Sequence, residues 1–289
     1  MSITSILALL DGGSGSEAIV RTAIDLGRGF DAHVECLYVE LPLHSAIPAF
    51  SEGMTGGMLD ELIRANKEAA DQRKLHLDGL FQHLCGDRDI TVIDPDGDTS
   101  SGAFAVARRD VVGHINREIA ERGRLHDLIV VGPPAEETGG VDSAALEAAL
   151  FDTGRPVLMA NGDTSHIIGA KVTLAWDGSR EAALAADLSL PILERAASVE
   201  VLTVTDAGRG ADPAELARFL KRHDIDCTTR LLSAGGRNVA DLLVEASRRD
   251  GDGLLIMGAF GHSPIGEFIF GGVTRGAMTA ASVPLLMAH

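Results

Sequence analysis

At 289 residues, with 45% hydrophobic residues and 33 glycines that follow no collagen-like period, the chain is long enough for two cores and too apolar for disorder. Its formal charge of -17, from 25 basic and 42 acidic residues, opposes nucleic-acid binding, whose affinity rests on Lys and Arg neutralising phosphates. Cys36, Cys85 and Cys227 are odd in number and widely spaced, with no CxxC and no histidine cluster nearby, which supports neither a disulfide framework nor a zinc site.

The run from Met1 to Asp11 has no basic flank and is too short for a signal peptide. No apolar stretch reaches the ~18 residues that cross a bilayer. A cytoplasmic protein with no membrane or nucleic-acid partner is the expectation.

In chain order, Ile6-Leu7-Ala8-Leu9-Leu10-Asp11-Gly12 reads as a short apolar strand ending in Asp-Gly. A Ser-containing turn, a helix and a second strand, His33 to Val39, follow. Pro42, Pro48 and the turn-forming Gly53 to Gly57 then lead into Met58 to Leu84, whose apolar residues recur at three- and four-residue steps around charged ones. That spacing predicts an amphipathic helix. Further apolar strands are expected at Asp127 to Gly132 and Arg155 to Ala160.

The same order then begins again. Val172-Thr173-Leu174-Ala175-Trp176-Asp177-Gly178 matches the first strand, Val199 to Val204 the second, Gly253 to Gly258 the third and Val283 to Ala288 the closing one. The spacing between matched positions falls from 166 residues (Asp11 to Asp177) to 126 (Gly132 to Gly258). The first copy therefore holds about forty extra residues, placed after Val39 as a helical insertion at about 41–90. Asn161-Gly162-Asp163-Thr164-Ser165 is a polar turn-forming run, so the expected domains are 1–163 and 164–289. Alternating strands and helices imply parallel sheets covered on both faces. The fold class expected is α/β, with two tandem open parallel sheets that bind ligands beyond the carboxyl ends of their strands.

One loop carries recognisable chemistry. From Gly258 through Gly261 and His262 to Gly271-Gly272-Val273-Thr274, a glycine-rich segment leaves a strand and enters a helix. Glycines admit close approach of a phosphate, and free N–H groups at the helix start donate to it. Neither GxxxxGK[ST] nor GxGxxG occurs. In the first copy Gly132 is followed by Pro133-Pro134-Ala135-Glu136-Glu137. Prolines remove donors and carboxylates repel phosphate, so no nucleotide is expected there.

Gly-x2-Gly-x9-Gly after Met257, with the Asp-Gly strand end and the closing Val-Pro-Leu-Leu-Met strand, resembles the universal stress protein family. The resemblance covers nearly the whole chain twice over. It implies a Rossmann-like fold of the adenine nucleotide α-hydrolase type, five parallel strands per domain, pairing of the domains through their final strands as an intramolecular pseudo-dimer, and ATP as ligand of the second domain only. A further homodimer is compatible with this arrangement. Carried onto matching positions, Asp177 and Val204 would contact the adenosine part, Met257 and Gly258 would border the ribose, and Gly261, Gly271, Gly272 and Val273 would line the phosphates. The pattern departs at Gly272, where ATP-binding members usually carry Ser or Thr, which removes one side-chain donor, a loss of roughly 1 to 2 kcal/mol.

Each residue also has a structural role open to it. Asp177 can cap the helix after Ser179, Val204 can be core, Trp176 should face away from Asp177 along the strand, and Arg237-Asn238 can cap a turn. The function the resemblance implies is an adenine-nucleotide-binding, regulatory or protective stress protein. The alternatives are an interaction scaffold of the same fold and a weak ATPase or phosphotransferase. The last is the least supported, since the loop supplies no clear general base, metal-binding carboxylate pair or catalytic Lys.

Overall fold

A computed structural model of the protein describes residues 2–42, 56–86, 90–97, 104–133, 141–161, 164, 167–205, 210–248, 253–261, 272–280 and 282–289. The first half runs β1 (Ser5–Leu10), α1 (Ser16–Phe30), β2 (His33–Glu40), α2 (Gly56–Gly86), β3 (Val92–Ile93), β4 (Ala105–Val112), α3 (Ile115–Gly123), β5 (Leu128–Val131), α4 (Val141–Asp152) and β6 (Val157–Met159). The second half runs β7 (Lys171–Ala175), α5 (Arg180–Leu188), α6 (Leu190–Leu193), β8 (Ser198–Thr205), α7 (Pro213–Arg222), β9 (Thr228–Ser233), α8 (Val239–Ser247), β10 (Leu254–Gly258), α9 (Gly272–Ala280) and β11 (Leu285–Ala288).

The strands form one continuous sheet in the order β3-β4-β2-β1-β5-β6-β11-β10-β7-β8-β9. Among the described residues five parallel strands lie in the second half, and the first half carries the two-residue β3 at its outer edge. The two parallel arrays do not stand as separate sheets. They meet at β6 and β11, the one antiparallel pair among the described residues, where Leu158 lies opposite Leu286, its own counterpart in the other copy.

Period-two alternation sends Ile6, Ala8 and Leu10 to one face of the sheet and Leu7 and Leu9 to the other. On the first face they join buried residues of α1, α2, α6 and α7, and on the second those of α3, α4, α8 and α9. The halves also touch away from the strand seam. Thr22 and Thr164 share a 2.5 Å hydroxyl hydrogen bond, and the Arg195 guanidinium sits 4.2 Å from the Phe30 ring centroid. Among the described residues no helix is long and apolar enough to cross a membrane.

The extra residues of the first half have a definite place. Parallel neighbours β2 and β4 are joined by residues 41–104, whereas their counterparts β8 and β9 are joined by residues 206–227. The amphipathic stretch is thus the crossover helix itself, 31 residues long in α2 against 10 in α7. Its C-terminal part buries Leu77, Leu80, Phe81 and Leu84, and Asp78 anchors it to Arg108 of β4 at 2.5 Å. A break separates α5 from α6, with Pro191 at the start of the second helix.

Candidate functional site

In the second half the order of connection reverses around β7, which pairs with β8 on one side and β10 on the other. Helices leave to opposite faces there, so the carboxyl ends of these strands border a crevice. It is a cavity of about 360 Å3, within the range of small-molecule sites. Leu202 and Val204 of β8, Val239 and Leu243 of α8 and Met257 of β10 form an apolar wall. Asp177 and Ser179 after β7, Gly258 at the end of β10, Gly261 beyond it and the first turn of α9 complete the lining.

Seven of the eight residues singled out in the sequence, Asp177, Val204, Met257, Gly258, Gly261, Gly272 and Val273, line this one cavity. Gly271 and His262 lie outside the described residues. Asp177 does shape the turn: the Ser179 N–H donates to its Oδ1 at 2.9 Å, and Ser179 Oγ in turn accepts from Ala182 N at 3.1 Å to cap α5. Val204 packs against the core and borders the cavity at once. Trp176 packs with the opposite-face cluster, as strand alternation requires, while touching the cavity border. Its indole N–H is buried with no partner among the described residues, the one such side-chain donor in the lining. Arg237 pairs with Glu245 at 2.5 Å and Asn238 caps α8 by accepting from Ala240 N at 2.8 Å, so both serve the turn.

Gly258 is fixed by close packing. A Cβ there would come within 2.4 Å of Ala182 N and 2.6 Å of the Glu181 carbonyl carbon, so any side chain would push α5 off the strand end. Gly272 is the reverse case, since a Cβ would meet nothing within 4 Å among the described residues. Between them Phe260 holds a left-handed backbone at φ 59°, a conformation that costs a non-glycine residue roughly 1–2 kcal/mol. Its N–H donates to the Thr274 hydroxyl at 3.2 Å, tying the loop after β10 to the first turn of α9.

Phe260, Ser179, Val239, Leu243 and Thr274 were not singled out in the sequence as site residues. Val239, Leu243 and Thr274 reach the cavity because α8 and α9 pack on one face of the sheet, which single-segment periodicity does not encode. Thr274 carried one signal, a hydroxyl two residues beyond Gly272.

A helix N-terminus offers unpaired N–H groups and a partial positive charge, so the first turn of α9 suits an anion. The apolar wall suits a flat ring. Among the described residues no group of three or more His, Cys, Asp or Glu is placed to hold a metal ion. A second, smaller depression of about 280 Å3, lined by Asp241, Val244, Glu245, Arg248 and Ala280, holds none of the residues singled out in the sequence.

The first half meets its strand end differently. The stem of Arg73 from α2 lies against Gly12, where an added Cβ would be 2.7 Å from the Arg73 Cβ. In the second half the residue nearest the equivalent Gly178 is the small Ala211, 3.1 Å from such a Cβ. Asp11 is engaged locally, accepting from Gly13 N at 2.8 Å and Ser16 Oγ at 2.7 Å.

No protein-family model and no curated protein matches the sequence. Solved structures do match over its whole length. A universal stress protein from Archaeoglobus fulgidus DSM 4304 is 14% identical, with 99% of this chain and 96% of that one aligned at a TM-score of 0.63. A functionally unknown protein from Pseudomonas aeruginosa PAO1 aligns over 99% of this chain and 92% of its own at 14% identity and a TM-score of 0.57. A third structure, from P. aeruginosa UCBPP-PA14, covers 99% and 93% at 14% identity and a TM-score of 0.56. The chain has the fold these structures share.

Proposed function

We propose that this chain is a tandem universal stress protein whose second domain, residues 164–289, binds an adenine nucleotide, ATP foremost, and that occupancy regulates its interactions in a cytoplasmic stress response. One observation carries the reading: residues spread from Asp177 to Val273, carried onto this chain by its resemblance to the universal stress protein family, line a single cavity at the switch point. The residues fit the ligand's chemistry. An apolar wall from Leu202 to Met257 accommodates a base, and Asp177 at the rim offers an acceptor to a hydroxyl or amino group. The N–H groups of α9's first turn and the Thr274 hydroxyl face the same space and would hold phosphate oxygens. No residue is assigned a catalytic role, and ATP would be bound rather than consumed.

In this reading residues 1–163 form a nucleotide-free domain that pairs with the second through β6 and β11. Titration calorimetry with ATP tests it. The expected result is one site per chain, abolished or strongly weakened by Val273→Asp, which would place a carboxylate beside the phosphates. Absence of heat and of thermal stabilisation at millimolar ATP would refute it, since a ligand that binds the native state must raise its stability.

A further inference from the structure

Phe151 lies near the end of α4, in the first half, with 44% of its surface exposed. Its ring nevertheless faces the second half. The centroid lies 5.2 Å from that of Phe260 at an interplanar angle of 44°, and 4.8 Å from that of His289, edge-on at 79°. These are separations at which aromatic pairs attract beyond their buried area. Phe260 is a wall residue of the cavity, and His289 Nδ1 lies 2.9 Å from the Ala259 carbonyl oxygen. A carbonyl only accepts, so Nδ1 is the donor of that bond. The two residues between Gly258 and Gly261 are thus braced from behind by an aromatic group whose third ring belongs to the other half.

We infer that Phe151 is a positioning residue for the second half's cavity: it holds the left-handed Phe260, and with it the stretch from Gly258 to Gly261 that lines the cavity, in the geometry that receives a ligand. The two copies differ here in the sense this role requires. Matched positions of the closing segments are 128 residues apart, as Ala160 and Ala288 show, so the counterpart of Phe151 in α9 is Thr279, an exposed residue. The aromatic ring stands only on the copy that faces the glycine-rich loop.

The ligand half of this inference rests on the nucleotide reading, and the test separates the two. Wild type, Phe151→Thr and Phe151→Tyr are compared by ATP calorimetry and, without ligand, by NMR amide exchange at Phe260. Phe151→Thr should weaken ATP binding roughly 3- to 10-fold, as loss of one aromatic pair implies. It should also speed exchange at Phe260 several-fold while the β1 and β2 amides are unmoved, and Phe151→Tyr should restore both. Equal ATP affinity in wild type and Phe151→Thr would overturn the inference. If wild type binds no ATP, the nucleotide reading fails, and Phe260 exchange decides alone: unchanged rates overturn the bracing role and faster rates sustain it.

Discussion

Replacing Gly272 with Ser should tighten ATP binding. The backbone there lies outside the positive-φ region, and among the described residues nothing lies within 4 Å of an added Cβ, so a hydroxyl can be added without moving any of them. It would stand at the first residue of α9, beside the cavity. A hydrogen bond to a charged phosphate contributes about 1.5–3 kcal/mol, and exposure of the site trims this to about 1–2 kcal/mol, or roughly 5- to 30-fold in affinity. Ser also suits a helix start better than Gly, by a few tenths of a kcal/mol, so the ligand-free melting temperature should rise slightly. Calorimetric titration separates the two effects. Gly272→Asp is the control with the opposite sign: it keeps the capping advantage and repels phosphate. A higher melting temperature with unchanged ATP affinity in Gly272→Ser, or equal affinity in the Ser and Asp variants, would refute the placement of phosphates at α9.

Gly258→Ala should disturb the fold as well as the site, because its methyl group would sit 2.4 Å from Ala182 N; a stability loss of about 1–3 kcal/mol in urea denaturation is expected. Leu158→Ala removes a fully buried side chain at the antiparallel seam and should cost about 2–5 kcal/mol in the same assay. Burial pushes the Asp127 carboxyl upward, but hydrogen bonds from the backbone and hydroxyls of Thr4 and Ser5, at 2.8 to 3.2 Å, outweigh it and hold its pKa below the ordinary aspartate value. The folded state then favours the carboxylate, so its stabilisation is present above the unfolded pKa of about 3.9 and lost as pH falls through the folded value. Asp127→Asn should therefore destabilise at pH 7 and progressively less below pH about 3.9, measured by denaturant midpoints across that range.

Much of this arrangement was legible because it is written locally and twice. The Asp-Gly strand ends at Asp11 and Asp177 and the closing strands at Pro156 and Pro284 mark the same element in both copies, and the position of a strand end within a parallel sheet fixes which loops converge. That logic placed Asp177 and Gly258 at two strand ends of one sheet, and the family resemblance added Val204, Met257 and Val273. What escaped is held by partners distant in sequence. β4 does not read as a buried strand because Arg108, Arg109 and Asp110 interrupt it. Their charges are met only after folding, Arg109 by Glu35 and Asp96, each at 2.9 Å, and Arg108 by Asp78 and Asp110. With β4 unseen, the helix of Met58 to Leu84 looks like an addition outside the repeat, although α2 is the lengthened crossover between two neighbouring strands. Phe260 owes its conformation to Thr274 and Phe151, one in the next helix and one in the other half.

At the seam, Leu158 facing Leu286 marks a local dyad in which every pair is mirrored, Val157 with Met287 and Met159 with Leu285. In a two-fold assembly of separate identical subunits, any substitution is made twice, once on each side of the axis. Covalent joining removes that constraint: a change on one side need not be tolerated on the other. The two halves differ in this way: a 31-residue helix stands where its counterpart has 10 residues, Arg73 where the other half has Ala211, and Phe151 where it has Thr279. Symmetry survives where the backbones must pair and lapses everywhere the two ends of the molecule have been free to specialise.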